Sequence, residues 1–99
     1  MCIELNKTNR TVTIDTKVEH FTTKEFDILS YLMNHPDTII SAEDIYQNVW
    51  NEVPFKCRAI ICVHIRHIRE KIEKDPSSPL LLDSFWKKGY RFNSKFIQA

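Results

Sequence analysis

The 99-residue chain contains a single glycine, only four prolines and no low-complexity run. Disordered chains are poor in aromatic residues and highly charged, whereas this sequence is 42% hydrophobic and 11% aromatic with a net charge of +1, so a folded domain is expected. No apolar run approaches the about 20 residues that a membrane-spanning helix needs, and we predict no membrane contact. The amino terminus lacks an apolar secretion segment, which favours a cytoplasmic protein.

The cysteines are few and show no paired spacing. Cys2, Cys57 and Cys62 make an odd number without a CxxC motif, so we expect reduced thiols rather than a disulfide framework. His64 and His67 lie three residues apart and close to two of these cysteines, which makes a metal site conceivable. On a helix, however, Cys62 points away from both histidines, and we predict no metal or other cofactor.

Catalytic motifs are also missing. The sequence has no Gly-rich phosphate loop, paired-carboxylate site or nucleophile motif, and 99 residues leave little room for a catalytic cleft. We therefore expect no enzymatic activity.

The small net charge hides an uneven distribution along the chain. Residues 1–53 contain four basic and nine acidic side chains, a net charge of −5, whereas residues 54–99 contain ten basic and four acidic side chains, a net charge of +6. A basic carboxy-terminal half indicates a polyanionic partner, although a run of charges is also typical of an ordinary solvated surface.

The first 21 residues contain three short stretches in which apolar and polar residues alternate, CIEL, TVTI and KVEHF. This alternation predicts a small antiparallel sheet with one solvated face. A first helix is expected to begin after Thr22, with Glu25 completing a capping box, and to end before Pro36. Ser41 is predicted to cap a second helix, with Asp44 at the capping-box position.

A third helix is predicted over residues 58–73, and two strands joined by a tight turn over residues 80–97. The turn contains Lys87, Lys88 and Gly89, and the glycine is placed where a positive φ would cost least. The sheet at residues 1–21, the helices within residues 22–74 and the hairpin together predict one α+β domain over residues 1–99.

The third helix has two contrasting faces. At 100° per residue, one narrow sector contains Ile61, Ile65, Ile68 and Ile72 and is predicted to be buried. The opposite sector contains Ala59, Ile60, Val63, Arg66, His67 and Glu70. A DNA major groove admits a helix, arginine can bond guanine bidentately and valine can contact a thymine methyl, so Arg66 and Val63 fit base recognition. An ordinary charged exterior is the alternative.

The tip of the predicted hairpin supplies a second basic element. Lys87 and Lys88, beside Trp86 and Tyr90, can reach phosphates or a minor groove while the helix occupies the major groove.

Three segments in this order, FTTKEFDILSYLMNHPDTIISAEDIYQNVW, VHIRHIREKI and SFWKKGYRF, resemble the winged helix-turn-helix effector domain of OmpR/PhoB-type response regulators. The resemblance covers essentially the whole chain. It implies an amino-terminal antiparallel sheet, a three-helix bundle and a carboxy-terminal β-hairpin wing. The implied function is sequence-specific binding of double-stranded DNA by a bacterial two-component transcriptional regulator.

The resemblance also implies residue roles. Base reading falls to Val63, Arg66 and His67 on the third helix. Contacts with the DNA backbone, or from the wing, fall to Trp50, Arg58, Arg69, Lys87, Lys88, Tyr90 and Arg91. For Trp50 and Tyr90, packing in the core is the alternative to a DNA contact. His64 is expected to pack or to form a backbone hydrogen bond.

The family further implies partners outside this segment. These are RNA polymerase at the loop over residues 51–56, a second copy of the domain on tandem direct repeats, and a receiver domain ahead of the present 99 residues. We predict that no receiver domain lies within the chain itself.

The chain departs from the family pattern at several positions. Ala59 and Ile60 stand where polar or basic residues are common, Cys62 replaces a frequent aspartate, and Lys87 replaces a usual glycine of the wing. Ile60 and Cys62, together with Phe55, support an alternative function as a winged-helix protein-interaction module with weak or lost DNA binding.

Overall fold

A computed structural model describes residues 2–97 of the chain, so the two ends of the expected 1–99 domain lie outside the described residues. The elements follow the order of three strands, three helices, two strands and a short 3-10 helix. Their bounds are β1 Ile3–Asn6, β2 Thr11–Ile14, β3 Lys17–His20, α1 Thr23–Met33, α2 Ala42–Trp50, α3 Arg58–Ile72, β4 Leu82–Phe85, β5 Gly89–Phe92 and η1 Ser94–Phe96. The predicted α+β architecture is confirmed.

The amino-terminal sheet is antiparallel with the strand order β1-β2-β3. The central strand contributes the fully buried Val12, which is paired with Leu5 on one side and Glu19 on the other. Val18 on the outer strand is 54% exposed. The sheet thus has an inner face and a wet face, and the apolar residues of β1 and β2 follow the predicted alternation. In β3 the alternation is reversed, because Glu19, paired with Val12, is on the inner face and Val18 is exposed to solvent.

The capping box of α1 is formed as predicted. Thr22 Oγ1 accepts a hydrogen bond from the backbone N–H of Glu25 at 3.2 Å, and Glu25 Oε1 accepts one from the Thr22 N–H at 3.1 Å. Phe26, Leu29 and Leu32 are buried on the inner face of this helix. The first helix is therefore fixed both by its amino terminus and by its packing.

The second helix begins as predicted, because Ser41 Oγ accepts a hydrogen bond from the Asp44 N–H at 3.1 Å. In the described part of the chain no reciprocal bond from the Asp44 side chain completes a capping box. The helix ends at Asn51, which adopts left-handed backbone geometry with φ 57°. Asparagine tolerates that geometry better than most residues, so the chain can turn sharply toward α3.

The third helix is anchored by its isoleucines. Ile61, Ile65, Ile68 and Ile72 are 0%, 1%, 0% and 3% exposed, which confirms the predicted buried sector. The helix ends one residue earlier than expected because Glu73 adopts extended geometry. Its carboxylate accepts backbone N–H groups of Leu80, Leu81 and Leu82 at 2.8 to 3.1 Å, and so fixes the start of the hairpin to the end of α3.

The glycine of the hairpin has a positive φ as predicted, and it lies at the start of β5, directly after the turn. The left-handed position is taken by Lys87 with φ 62°, while Gly89 lies in β5 with φ 143°. A Cβ on Gly89 would overlap the carbonyl group of Ile40 and lie 2.8 Å from the Cα of Ser41. The glycine is thus required by close backbone approach, since Ile40 and Tyr90 exchange backbone hydrogen bonds of 2.8 and 2.9 Å.

The hairpin is also shorter than residues 80–97. Its second strand ends at Phe92, and Ser94–Phe96 form the 3-10 helix, so a strand continuing to residue 97 was a wrong expectation. The cause is an interaction with the loop between α1 and α2. Asp37 accepts the Ser94 N–H at 2.9 Å, which draws the chain out of strand geometry.

One apolar core joins these elements, and it includes side chains from β2, all three helices and both hairpin strands. Within residues 2–97, no helix is long and apolar enough to cross a membrane.

Candidate nucleic-acid interface

The outer face of α3 presents the three predicted base-reading residues to solvent. Val63 is 42% exposed, Arg66 is exposed, and the His67 side chain is 43% exposed. Within residues 2–97, Arg66 has no hydrogen bond or ion pair. The four buried isoleucines hold this face outward, so Arg66 and Val63 project from a rigid support.

His67 is the one member of this trio with a charged neighbour inside the domain. Its Nδ1 lies 3.7 Å from Oε2 of Glu25, and Oε1 of the same carboxylate accepts a hydrogen bond from Lys71 Nζ at 2.6 Å. Burial raises the pKa of Glu25, but the hydrogen bonds from Lys71 and Thr22 outweigh burial and hold the pKa below its ordinary value of 4.5. An ionised carboxylate therefore stands behind His67 at neutral pH.

A groove of about 680 Å³ separates the first half of α3 from the hairpin. Arg58, Ala59 and Cys62 line the helix side, and residues 84–90 line the hairpin side. Lys87 and Lys88 are among the hairpin residues that line it. The groove therefore carries three cations from two elements that are far apart in sequence.

Arg58 has an acidic partner at this groove. Its Nε donates a hydrogen bond to Glu43 Oε2 at 3.0 Å, and both side chains are well exposed. This bond lowers the pKa of Glu43 and raises the pKa of Arg58, so both groups are charged at neutral pH. Contact of Arg58 with a phosphate would compete with Glu43.

Tyr90 lines the groove on its hairpin side and lies next to Cys62 of α3. Burial raises the pKa of its hydroxyl, and the neighbouring Cys62 thiol raises it further. The hydroxyl is therefore protonated at neutral pH and interacts with the Cys62 thiol. The ring also packs against the apolar core, so the predicted packing role is observed.

Arg69 and Arg91 are held by groups of the domain itself. Both Nε and Nη2 of Arg69 donate to the backbone carbonyl of Leu82, at 3.1 and 2.7 Å. Arg91 Nη2 donates to Asp83 Oδ2 at 2.6 Å, and its guanidinium lies 4.9 Å from the Phe85 ring centroid. Arg91 follows Tyr90 on the strand and so lies on the hairpin face turned away from α3.

Trp50 is packed among its neighbours at the other end of α2. Its ring stacks on Tyr46 with centroids 4.8 Å apart and an interplanar angle of 11°, and His64 meets it edge-on at 5.4 Å. The Lys24 ammonium lies 5.1 Å from its centroid. Packing is therefore observed for both Trp50 and His64.

The thiols and histidines do not converge. All three cysteines are free, with Cys57 buried and Cys2 and Cys62 exposed. In the part of the chain that the structure describes, no three His, Cys, Asp or Glu side chains cluster closely enough to hold a metal ion.

The structure thus brings some predicted site residues together and separates others. Arg58, Lys87, Lys88 and Tyr90 share one groove, while Val63, Arg66 and His67 occupy the adjoining outer face of α3. Two residues of this surface were absent from the predicted site. Glu43 is 15 residues from Arg58, and the sequence gives no signal of the pairing, whereas Trp86 was noted beside the lysines of the turn but was assigned no role.

An amino-terminal sheet, three helices and a hairpin placed beside the third helix define a winged helix-turn-helix domain. Solved structures share this fold. The DNA-binding domain of Klebsiella pneumoniae RstA, in complex with the RstA box, has a TM-score of 0.83 at 22% identity, covering 94% of this chain and 92% of that one. Thermotoga maritima DrrB, an OmpR/PhoB homologue, has a TM-score of 0.81 at 27% identity, covering 94% of this chain and 42% of that one.

Residues 15–92 match the family described as "Transcriptional regulatory protein, C terminal". The chain therefore belongs to this family of OmpR/PhoB-type carboxy-terminal DNA-binding domains, and the sequence resemblance is confirmed. The transcriptional regulatory protein YrkP of Bacillus subtilis is 44% identical over 71 residues, which are 71% of this chain and 31% of YrkP. The chain thus spans about a third of the length of such relatives.

Proposed function

We propose that the domain binds double-stranded DNA sequence-specifically, as the effector module of a bacterial two-component transcriptional regulator acting in the cytoplasm. The observation that carries the proposal is the position of Arg66, exposed and unpaired within residues 2–97, on a helix whose opposite face is locked into the core. A free guanidinium on a rigid helix is the group most often used to read guanine.

The dimensions of α3 suit the major groove. Its 15 residues span about 22 Å, and the groove is about 12 Å wide, enough to admit a helix. In this placement Arg66 bonds guanine O6 and N7, Val63 contacts a thymine methyl, and His67 reads a neighbouring base. The Glu25 carboxylate behind His67 orients that ring, because its Oε2 lies 3.7 Å from Nδ1.

The groove between α3 and the hairpin suits the sugar-phosphate backbone. One strand separates the major groove from the adjacent minor groove, so a protein that enters both must hold that strand between its two elements. Lys87, Lys88 and Arg58 supply cations at this position, and Tyr90 lines the same groove beside Cys62. Arg69 and Arg91 are held internally, and we assign them a positioning role instead of a phosphate contact.

A salt titration tests this function. Duplexes selected from a random pool and unselected duplexes are titrated by fluorescence anisotropy at several salt concentrations. The selected duplex should bind more tightly, with log K falling linearly with log salt at about 0.9 per phosphate contact. Lys88→Ala should lower the slope by about 0.9, whereas Lys7→Ala, in the β1–β2 turn, removes the same charge and should leave it unchanged.

The loop before α3 has the apolar exposure of a protein-binding surface. Val53 and Phe55 are 84% and 76% exposed, which is unusual for large apolar side chains. We propose that this loop contacts RNA polymerase. Phe55→Ser should then reduce activated transcription in vitro and leave duplex affinity unchanged; equal loss of both would contradict the assignment.

The same exposed residues support the second candidate function, a winged-helix protein-interaction module with weak DNA binding. Ile60, 41% exposed at the start of α3, adds to this apolar surface. The salt titration separates the two functions, because an interaction module would bind selected and random duplexes equally poorly.

Two copies are proposed to bind tandem direct repeats. A single domain of this size has few phosphate contacts, and a second copy on the same duplex raises affinity through effective concentration. Sedimentation of the protein with a two-repeat duplex should show a two-to-one complex. A strictly one-to-one complex would contradict tandem binding.

A further inference from the structure

Trp86 at the tip of the hairpin is the most exposed large apolar side chain of the described residues, at 87%. An aromatic side chain of this kind can bury roughly 150 to 250 Å², so most of a large, mainly apolar surface is left in contact with water. The ring lies 5.9 Å from the Lys87 ammonium and reaches no part of the apolar core.

The tip presents this ring on a fixed turn. The Lys88 N–H donates to the Phe85 carbonyl at 2.9 Å, and Lys87 takes the left-handed position of the turn. Directly behind the turn, Gly89 is pressed against the backbone of Ile40 and cannot move toward it. The turn that carries Trp86 is therefore fixed by backbone contacts, while the ring itself stays exposed.

We propose that Trp86 enters the minor groove of the bound duplex and packs its indole faces against the deoxyribose walls. This inference rests on the proposed DNA-binding function. A nucleic acid is the occupant because Trp86 lines the same groove as Arg58 and is followed directly by two lysines. An apolar ring framed by cations matches a groove with apolar sugar walls and phosphate edges.

The minor groove also has the right shape for this ring. It is about 6 Å wide, so a flat indole fits edge-on between the two strands. On its floor, guanine carries an exocyclic 2-amino group that A·T pairs lack. That group limits how deeply the ring can enter, so Trp86 gives the domain a preference for base pairs without it.

Fluorine NMR of the protein labelled with 5-fluorotryptophan tests the burial of the ring directly. The chain has two tryptophans, so Trp86→Phe assigns both resonances. In the free protein the Trp86 resonance should show a large solvent isotope shift between H₂O and D₂O. On binding a duplex selected from a random pool, this shift should be lost; a Trp86 resonance that stays solvent-exposed in a saturated complex overturns the proposal.

A base-analogue experiment tests the groove. Inosine·cytosine pairs keep the major-groove pattern of G·C but lack the minor-groove amino group, so they are introduced only at the positions that hydroxyl-radical footprinting places under the wing. The wild-type protein should bind the inosine duplex about three- to tenfold more tightly than the G·C duplex. Trp86→Ala should bind about tenfold more weakly overall and lose this preference, while Trp86→Phe should keep part of it.

The outcomes separate this inference from the proposed function. Salt-dependent binding of the selected duplex with an inosine preference that Trp86→Ala retains would overturn the role of Trp86 and leave DNA binding standing. An absence of salt-dependent binding to any duplex would overturn both, and would leave the exposed indole to a protein partner.

Discussion

The guanidinium of Arg69 donates two hydrogen bonds to the backbone carbonyl of Leu82, from Nε at 3.1 Å and from Nη2 at 2.7 Å. Arg69 is in the last turn of α3, and Leu82 is the first residue of β4. Arg69 thus fixes the hairpin to the helix, together with the Glu73 carboxylate at the helix end. Because the two elements are proposed to enter adjacent grooves, their separation has to match that of the DNA grooves.

Replacement of Arg69 tests this connection. Arg69→Ala should lower the free energy of unfolding by about 1.5 to 3 kcal/mol, because a charged donor pair to a carbonyl is lost. DNA affinity should fall without a change in salt slope. Urea unfolding and a salt titration measure the two quantities, with Arg66→Ala as the control that leaves stability intact. A slope reduced by about 0.9 at unchanged stability would instead show that Arg69 contacts a phosphate.

Glu43 is expected to oppose DNA binding. Its carboxylate binds Arg58 at 3.0 Å and repels a phosphate placed in the same groove. Glu43→Gln should strengthen duplex binding by about three- to tenfold and steepen the salt slope by about 0.9, since Arg58 is released for a phosphate. Asp44→Asn removes the same charge one residue away, without touching the partner of Arg58, and should have a much smaller effect. Weaker binding by Glu43→Gln would show that the ion pair orients Arg58 productively.

The ionisation of Glu25 makes the free energy of unfolding depend on pH. Its pKa is lower in the folded state than the ordinary 4.5, so this stabilisation is fully present above about pH 4.5 and is lost as the pH falls through the folded pKa. Glu25→Gln should therefore destabilise the protein by about 1.5 to 3 kcal/mol at neutral pH, and the difference should shrink in acid.

Urea unfolding at about pH 7 and about pH 3.5 measures how much Glu25→Gln lowers the free energy of unfolding at each pH. The control is Glu19→Gln, which breaks the exposed ion pair with Lys17 and should cost less than about 0.5 kcal/mol. A difference for Glu25→Gln that is the same at both pH values would refute the role of its ionisation.

Gly89 and Lys87 should respond oppositely to substitution. Gly89→Ala places a Cβ against the Ile40 carbonyl and should destabilise the fold by about 3 kcal/mol or more. Lys87→Gly relieves a left-handed lysine with φ 62° and should stabilise the fold by roughly 0.5 to 1 kcal/mol. Thermal unfolding of both variants decides the matter; a destabilised Lys87→Gly with a tolerated Gly89→Ala would mean that the turn geometry is misassigned.

Most of the fold could be predicted because the relevant signals are local. Capping residues Thr22 and Ser41 begin their helices, and the spacing of Ile61, Ile65, Ile68 and Ile72 identifies the buried face of α3. The last strand was overestimated because the bond from Asp37 to Ser94 joins residues 57 positions apart. The positive φ of Gly89 could be predicted from the turn, but its crowding could not, since the contact comes from Ile40 across the fold.

The site was less accessible from sequence. Helical periodicity shows that Arg66 and Val63 point outward, and the two adjacent lysines of the predicted turn are visible in the sequence. Periodicity does not show that Arg69 reaches the Leu82 carbonyl or that Glu43 meets Arg58, because these pairings depend on how separate elements pack. The arginines therefore look equivalent in the sequence, although the structure separates an unpaired one from internally bound ones.

The central claim is that the outer face of α3 reads base sequence, and base discrimination by Arg66→Ala tests it most directly. Affinities of the wild type and the variant are measured for the selected duplex and for its single-base-pair variants. The account predicts a loss of about 1 to 3 kcal/mol on the selected duplex and relaxed choice at one base pair, while Lys88→Ala weakens all duplexes alike. If Arg66→Ala discriminates among the duplexes as sharply as the wild type does, this face of the helix does not read DNA.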